Sequence, residues 1–593
     1  MSAGGAPPGA ARAAAAAALL ACHCREDPRW RLTPDPGGPA AYRGTLALRG
    51  LPARLRAAVR HVSPTGHHRF TGDAWLEVAG EPLRPLSHPV LAGLLMDDVA
   101  RADRRGPGDP SALMARMIDS ADMVDLALRA RAEDLGRLWS ADPLPFIASE
   151  QALLIGHLLH PTPKSRGEMS PDDRARYSPE LEARFPLHWL AVDPELVVHD
   201  SAAGRPAPGL AEALLRRDRH LDHGALERAM AGLGPRMLVP VHPWEAAHLA
   251  DGPQLTPLLD AGAVVDLGPF GGTVTATSSL RTVYREDWPW QVKFSLHVRV
   301  TNSMRVTLPK ELRRAVEAAR LEASPLGDAA RAAAPHLTVL HDPAYLAVMG
   351  TDGALIDGLS VLLRDNRWQG RAGDATAVTT LVQDDPCGGR SRLGRIVERL
   401  ARDGGTGEQQ IAREWFRRYC EVVSASLLRL YLDVGLCFEP HAQNTVLELD
   451  GGWPDRCVIR DSQGYFHREA AHRDVTAVLP GHGEESESIF PEALADERLV
   501  YYPFVNNALG VVAALGAAGV IDEDILLGDL RDVIARERRR GGRYPATLLD
   551  RLLDDPTWPC KANLRTRLHD MDELVGDIAD QSVYIRIPNP LRP

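Results

Sequence analysis

Asn444 and Asp461 are residue types that hold a hard cation. They stand seventeen residues apart, on either side of a segment that reads as a β-hairpin: Thr445 to Asp450, a Gly-Gly-Trp-Pro turn, and a second strand ending Ile459-Arg460-Asp461. Kinase-type nucleotide sites place a loop Asn and a strand-end Asp around Mg²⁺ in this way. Both residues are also common turn formers, so the pair alone leaves a purely structural reading open. The same loop supplies Glu439, His441 and Gln443, but no Asp that could accept a hydroxyl proton as a phosphorylating kinase requires. A carboxylate nucleophile needs no such base, because a carboxyl with a pKa of about 4 is already ionised at neutral pH. What it needs is positive charge to offset repulsion between two anions.

Lysine usage indicates where that charge lies. Of 68 lysines and arginines only four are lysine: Lys164, Lys293, Lys310 and Lys561. A lysine kept against an arginine background is a candidate for a compact point cation that a planar guanidinium does not replace. Three sit in runs that look chemical: His160-Pro161-Thr162-Pro163-Lys164, Gln291-Val292-Lys293-Phe294-Ser295 and Pro559-Cys560-Lys561-Ala562-Asn563. Lys310 opens an ordinary amphipathic stretch and serves as the internal comparison.

The element that must position Lys293 is the clearest strand in the chain, Gln291 to Thr301. Val292, Phe294, Leu296, Val298 and Val300 take one face; Lys293, Ser295, His297, Arg299 and Thr301 take the other. The preceding Thr277 to Thr282 can pair with it antiparallel, bringing Ser279, Arg281 and Thr282 beside Lys293. Asn302-Ser303-Met304-Arg305 extends the same surface, and this concentration of polar and cationic groups predicts a cleft. Ala263 to Leu267 reads as a strand, with Gly268 to Gly272 a turn into Thr273 to Val283. Glu408 to Val434 reads as one long helix, with Gly435 just past its end. Residues from about Ala11 to Leu190 read as mostly helical, and the C-terminal third as helical again.

Composition bounds the rest. At 593 residues the chain is too long for one core, so two or three subdomains are expected. A hydrophobic content of 45% and a charged content of 25% are those of a soluble globular protein. The net charge of −11 disfavours nucleic acid or an anionic membrane as partner, while leaving small anions open. Seven scattered cysteines read as reduced thiols, with only Cys22 and Cys24 close together, and 21 histidines read as dispersed, with no ligand-spaced cluster. The alanine-rich start lacks a basic leader, and no stretch approaches the length of a membrane helix, so a cytoplasmic protein is expected.

These blocks carry a resemblance. His157 to Lys164, Thr277 to Thr282, Lys293 to Arg305, His441 to Asn444, Asp461 and Lys561 resemble, in order, the signature blocks of the IucA/IucC family, the NRPS-independent siderophore (NIS) synthetases. The resemblance spans about Gly156 to the C-terminus and departs at Leu158-Leu159, where the family usually has a proline between the two histidines. It implies an α+β fold of thumb, fingers and palm: a mostly helical region 1–190, a β-rich region 191–400 and a kinase-like palm with C-terminal helices, 401–593, commonly in a homodimer. It implies that ATP with Mg²⁺ adenylates a carboxylate of citrate or a related polycarboxylic acid. An amine, hydroxylamine or alcohol then displaces AMP. By the same resemblance Ser279, Arg281, Thr282 and Lys293 meet the phosphates. His441, Gln443, Asn444 and Asp461 meet ribose, adenine and Mg²⁺, with Asn444 and Asp461 as the metal pair. His160, Thr301, Arg305, Arg498 and Tyr501 meet the acid, with Glu439 and Lys561 nearby. Lys293, Arg305, His160 and Lys561 form the expected catalytic set. Two other readings stand beside this one: a kinase-like phosphotransferase releasing ADP, and an inactive nucleotide- or metallophore-binding protein.

Overall fold

A computed structural model describes residues 6–102, 109–573 and 581–592. The alanine-rich start forms the helix Ala10–Glu26. Alanine has the highest helix propensity, and its small side chain lets a helix lie close to its neighbour. The neighbour is a five-stranded antiparallel sheet, Arg31–Pro34, Tyr42–Ala47, Ala53–His61, Arg69–Val78 and Arg84–Pro85. Gly72 marks the closest approach: it takes φ +94°, and a Cβ there would stand 2.2 Å from the Ala13 carbonyl oxygen.

This sheet corrects the expectation of a mostly helical start. Its strands bury alanine as well as larger residues (Leu55, Ala57, Ala58 and Val59 in Ala53–His61), so the two-residue period is weakly written in hydrophobicity. The expected helices follow as His88–Ala102 and Pro110–Ala130, the latter opened by Pro110 and by the Asp109 side chain, which accepts from two backbone N–H groups.

The middle of the chain builds an eight-stranded sheet in the order Val197–Ser201, Ala344–Met349, Leu355–Asp365, Trp290–Phe294, Thr282–Tyr284, Val264–Ala276, Arg184–Val192 and Met237–Val241. Every pairing in it is antiparallel. Thr282 pairs with Lys293, but the rest of the segment expected to pair, Thr277 to Arg281, is a turn leading into that strand. Two further expectations are corrected here. Gly268 to Gly272 is no turn but the interior of one long strand, where register shifts against Arg184–Val192 are absorbed by Gly268 and Gly271 at positive φ. Gln291 to Thr301 is not one strand. It breaks at Ser295, whose N–H goes to Ser360 O (3.0 Å) and whose Oγ accepts from Thr307 N (2.9 Å). Leu296–Val300 then turns away to form a hairpin with Ser303–Arg305. Val292, Phe294, Leu296 and Val298 remain buried throughout, so the apolar alternation survives the break.

The C-terminal half sets a four-stranded sheet against helices. Thr445–Asp450 and Trp453–Arg460 form the expected hairpin, flanked by Asp374–Ala377 and, in parallel, by Leu337–Leu340. The helix from Glu408 to Val434 is continuous through two π-helical stretches and stops at Gly435, φ 75°. One further helical run, Glu492–Ala517, is long and apolar enough to cross a membrane, with mean hydropathy 1.4. That corrects the expectation on length, yet 94% of the apolar window is buried inside the protein. One core packs the eight-stranded sheet from Met169 to Leu363, another the C-terminal helices and sheet, and a third the N-terminal sheet, which Leu564 and Leu568 join from the far end of the chain.

Candidate active site

The eight-stranded sheet, the Leu296–Arg305 hairpin and the Asn444–Asp461 loop ends converge on one cleft of about 300 Å³. Eleven lysines and arginines line it against four carboxylates, so a chain of net charge −11 concentrates positive charge here. All four lysines lie in its wall, Lys310 included. The comparison lysine is therefore no remote surface residue. Its Nζ pairs with Glu487 at 2.7 Å across the cleft edge. Lys164 is placed differently from expectation: its ammonium is buried against Glu180 and the Leu153 carbonyl, and Arg166 grips the same carboxylate. It holds the wall together and offers no free cation.

At one end Lys293 and Thr282 share a sheet face through their register. Lys293 Nζ reaches Asp461 Oδ1 at 2.6 Å and Asp342 Oδ2 at 3.4 Å. Arg364 clasps Asp342 with two bonds of 2.6 and 3.0 Å and stands 3.6 Å from Asp461. Burial alone would raise the Asp461 carboxyl, but Lys293, Arg364 and Arg281 outweigh it and hold the group well below the carboxylate range. Burial pulls the Lys293 ammonium below its ordinary value, against the two aspartates. Asp461 leaves its strand at φ 83°, ψ 84°, a backbone state that costs a non-glycine residue about 1–3 kcal/mol and gathers at functional sites.

The Thr277–Thr282 turn brings Ser279 and Arg281 to the same end. Ser279 Oγ accepts from Thr282 N at 3.1 Å, and Leu280 takes φ 67° to close the turn. Arg281 donates to Arg305 O, Thr307 Oγ1 and Gln463 Oε1 (3.1, 3.3 and 2.7 Å), so it joins sheet, hairpin and loop. Three buried polar atoms on this wall, Thr282 Oγ1, Gln291 Nε2 and Gln463 Nε2, have no hydrogen-bond partner among the described residues. Such atoms are what a ligand's oxygens satisfy.

The opposite wall is the loop from Glu439 to Asn444. Asn507 donates to the Pro440 carbonyl and Asn506 accepts from Ala442 N, which fixes its path. His441 is half-buried and neutral, its pKa lowered to about 3 chiefly by loss of solvent around the ring. Its Nδ1 accepts from Asn444 N, so its proton sits on Nε2. Gln443 lies against Ser278, and Arg460 binds the Gln443 carbonyl while pairing with buried Glu150 at 2.6 Å. Asn444 O accepts from Arg460 N, which sets Asn444 and Asp461 side by side at the open end of the hairpin.

At the far end, Arg305 donates to Val300 O and to Thr301 Oγ1 and meets no carboxylate among the described residues. Burial, with Arg281 close by, lowers its pKa to about 10. Thr301 is not a strand residue but the hairpin turn, at φ 56°. His160 Nδ1 accepts from Thr162 N, so its Nε2–H donates to Asn302 Oδ1 at 2.8 Å. Burial holds this imidazole neutral, its pKa near 3. Lys561 lies in a strand, Thr557–Lys561. It contacts Tyr502 OH (2.8 Å) and Glu573 (3.0 Å), 5.7 Å from the Tyr501 ring. Arg498 pairs with Glu439 at 3.1 Å.

Every residue expected in the site thus lines this one cleft. The sequence reading missed Asp342 and Arg364, which anchor Lys293 and Asp461 from behind, and Glu573, which answers Lys561. Gln291 was legible, since it alternates with Lys293 on the same face. The reading of dispersed histidines is also corrected, because folding gathers His248 and His297 around Glu245, outside this cleft.

Comparison with known proteins agrees with this geometry. The IucA/IucC family profile matches residues 145–383, and a profile described as ferric iron reductase FhuF-like transporter matches 413–576. The chain is 38% identical over 588 residues to the rhizobactin siderophore biosynthesis protein RhbC of Rhizobium meliloti, covering 97% of this chain and 96% of that one. It is 32% identical to the spermidine-citrate ligase of Bacillus anthracis, over 91% of this chain and 88% of that one. Among solved structures, the ATP-bound aerobactin synthetase IucA from a hypervirulent Klebsiella pneumoniae superposes with a TM-score of 0.85 at 28% identity, covering 98% of this chain and 99% of that one.

Proposed function

The chain belongs to the IucA/IucC family, and we propose that it is an AMP-forming acid–amine ligase of siderophore biosynthesis. In this reading it uses ATP to adenylate a carboxylate of citrate or a close polycarboxylic relative and passes the acyl group to an amine. The observation that carries the reading is the cation-lined cleft with Arg305, which forms no ion pair among the described residues, at one end and the Lys293–Asp461 pair at the other. Relatives named as ligases and synthases acting on citrate favour it over the phosphotransferase and inactive-protein readings.

The division of labour follows from placement. Lys293, Arg281, Ser279 and Thr282 grip the triphosphate, and His441 Nε2–H and Gln443 face ribose and adenine. Arg305, with Thr301, holds the acid's carboxylates in a planar fork. Lys561, Arg498 and Tyr501 complete that end once their present partners Glu573 and Glu439 yield to substrate. His160 acts as a neutral donor that orients Asn302. The acid oxygen attacks the α-phosphorus, pyrophosphate leaves, and the amine then displaces AMP. Positioned cations offset the charge that grows on the phosphate oxygens in the first step. Asp461 and Asn444 offer the hard oxygen donors that suit Mg²⁺, and both stand beside the cationic phosphate end; when bound, that ion shields the phosphate charge. A cytoplasmic homodimer, with no nucleic acid or membrane partner, completes the reading.

The test is product identity. Incubation with ATP, citrate and a panel of amines is expected to release AMP and pyrophosphate with a citryl amide of matching mass. ADP with a phosphorylated acid would overturn the assignment.

A further inference from the structure

A second set of ligand atoms lies outside the cleft. The helix Pro243–Leu249 carries Glu245 and His248 three residues apart, so both project from one face. His297, on the Leu296–Val300 arm of the hairpin, meets them. Its backbone N donates to Glu245 Oε2 at 2.9 Å, and its Nδ1 shares a hydrogen bond with Glu245 Oε1 at 2.5 Å. The His248 ring stacks on Trp244 (5.1 Å, 8°), and its centroid lies 5.0 Å from that of His297. One ligand atom from each of the three residues lies within 4.8 Å of the others.

Glu245 is the informative member. It is fully buried at 0% exposure, where a carboxylate is costly without close partners. The strand behind makes room for it: Gly358 takes φ +92°, and a Cβ there would lie 2.2 Å from Glu245 Oε1. Asp357 in the same strand adds negative charge felt at His297. His248 is exposed and His297 partly so, which opens the imidazole side to an entering ion.

We propose that Glu245, His248 and His297 form a site for a divalent transition cation of the Zn²⁺ class, separate from the nucleotide cleft. Two imidazoles and a carboxylate favour Zn²⁺, Co²⁺ or Ni²⁺ over Mg²⁺, which prefers oxygen alone. The cation takes the place of the proton between His297 Nδ1 and Glu245, and that proton passes to solvent. A rotation of His248 brings its nitrogen to about 2.0–2.1 Å, and water fills the remaining position. The cation ties the Pro243–Leu249 helix to the hairpin whose turn holds Thr301.

Full-length protein freed of metal by chelation and titrated with Co²⁺ tests the site. One equivalent is expected to bind with the visible absorption of a four-coordinate Co²⁺ centre, displaced by Zn²⁺ and not by equal Mg²⁺, and Zn²⁺ is expected to raise Tm. His248→Ala, at an exposed position, and His297→Ala each remove one ligand. Even groups outside the ligand shell contribute about 10- to 100-fold to metal affinity, so each variant is expected to bind at least about tenfold more weakly. Wild-type protein that takes up no Co²⁺, or variants that stay within tenfold of it, would overturn the site.

Discussion

Lys293 Nζ lies 2.6 Å from Asp461 Oδ1, and 168 residues of chain separate the two. Lys293 belongs to the eight-stranded sheet, while Asp461 directly follows the last residue of a strand of the four-stranded one. The pair therefore locks two sheets together at the point where a triphosphate and its cation would sit. Asp461→Asn separates charge from shape, since asparagine also tolerates the left-handed backbone of this position. ATP–pyrophosphate exchange is expected to fall by at least about 100-fold, the scale seen when one positioned electrostatic group is lost. The stability cost should stay below the about 3–5 kcal/mol of a broken buried pair, because Asp342 remains 3.4 Å from Lys293. Undiminished exchange in this variant would remove Asp461 from the mechanism.

Asp342→Asn asks about the support behind that pair. Asp342 is fully buried and holds Arg364 by two bonds, so the variant leaves two buried cations, Arg364 and Lys293, to share Asp461 as their one close carboxylate among the described residues. A loss of about 3–5 kcal/mol in unfolding free energy is expected, measured by urea denaturation without ligand. A melting profile like wild type would mean that Arg364 finds its charge balance elsewhere.

How much of this was legible follows from the range over which each signal acts. The Asn444–Asp461 hairpin and the Thr282–Lys293 pairing are local, written in alternation and turn residues, and both appear in the structure. Asp342 and Glu573 answer cations far away in sequence, so nothing near them announces the match. The break at Ser295 was hidden because Val292, Phe294, Leu296 and Val298 stay buried on both sides of it, leaving the apolar period unbroken while the backbone changes sheets. The N-terminal sheet was missed for the opposite reason, since buried alanines write almost no period.

Buried neutral histidines make stability depend on pH above the carboxylate range. His160 and His441 have pKa values near 3, and so does His242, packed among Tyr177, Phe185 and Phe294; burial lowers all three. The unfolded chain binds protons at these residues below about pH 6.5, and the folded chain does not. Each therefore withdraws about 1.4 kcal/mol of stability per pH unit as pH falls from there toward 3. Urea midpoints are expected to drop already between pH 6.5 and 5. His242→Gln should flatten that slope relative to wild type, and an unchanged slope would show that His242 is not buried neutral.

The lysines give the last prediction. Lys293→Arg keeps the charge but puts a wider planar head into a fully enclosed position between Asp461 and Asp342. Displacing a positioned catalytic group by about 1 Å can cost on the order of 100-fold in rate, and a loss of that size in acid-dependent exchange is expected with the fold intact. Lys561→Arg should lose less: its ammonium also answers a tyrosine hydroxyl and a carboxylate, but Glu573 is only partly buried and can move aside. Lys310→Arg should preserve exchange, since its pair with exposed Glu487 at the cleft edge needs only a cation. Its place in the wall adds a sharper reading. If Lys310→Arg alone raised the KM for ATP or acid while kcat held, the edge would be part of substrate entry. If all three variants matched wild type, the scarcity of lysine would record codon usage and the point-charge argument would fail.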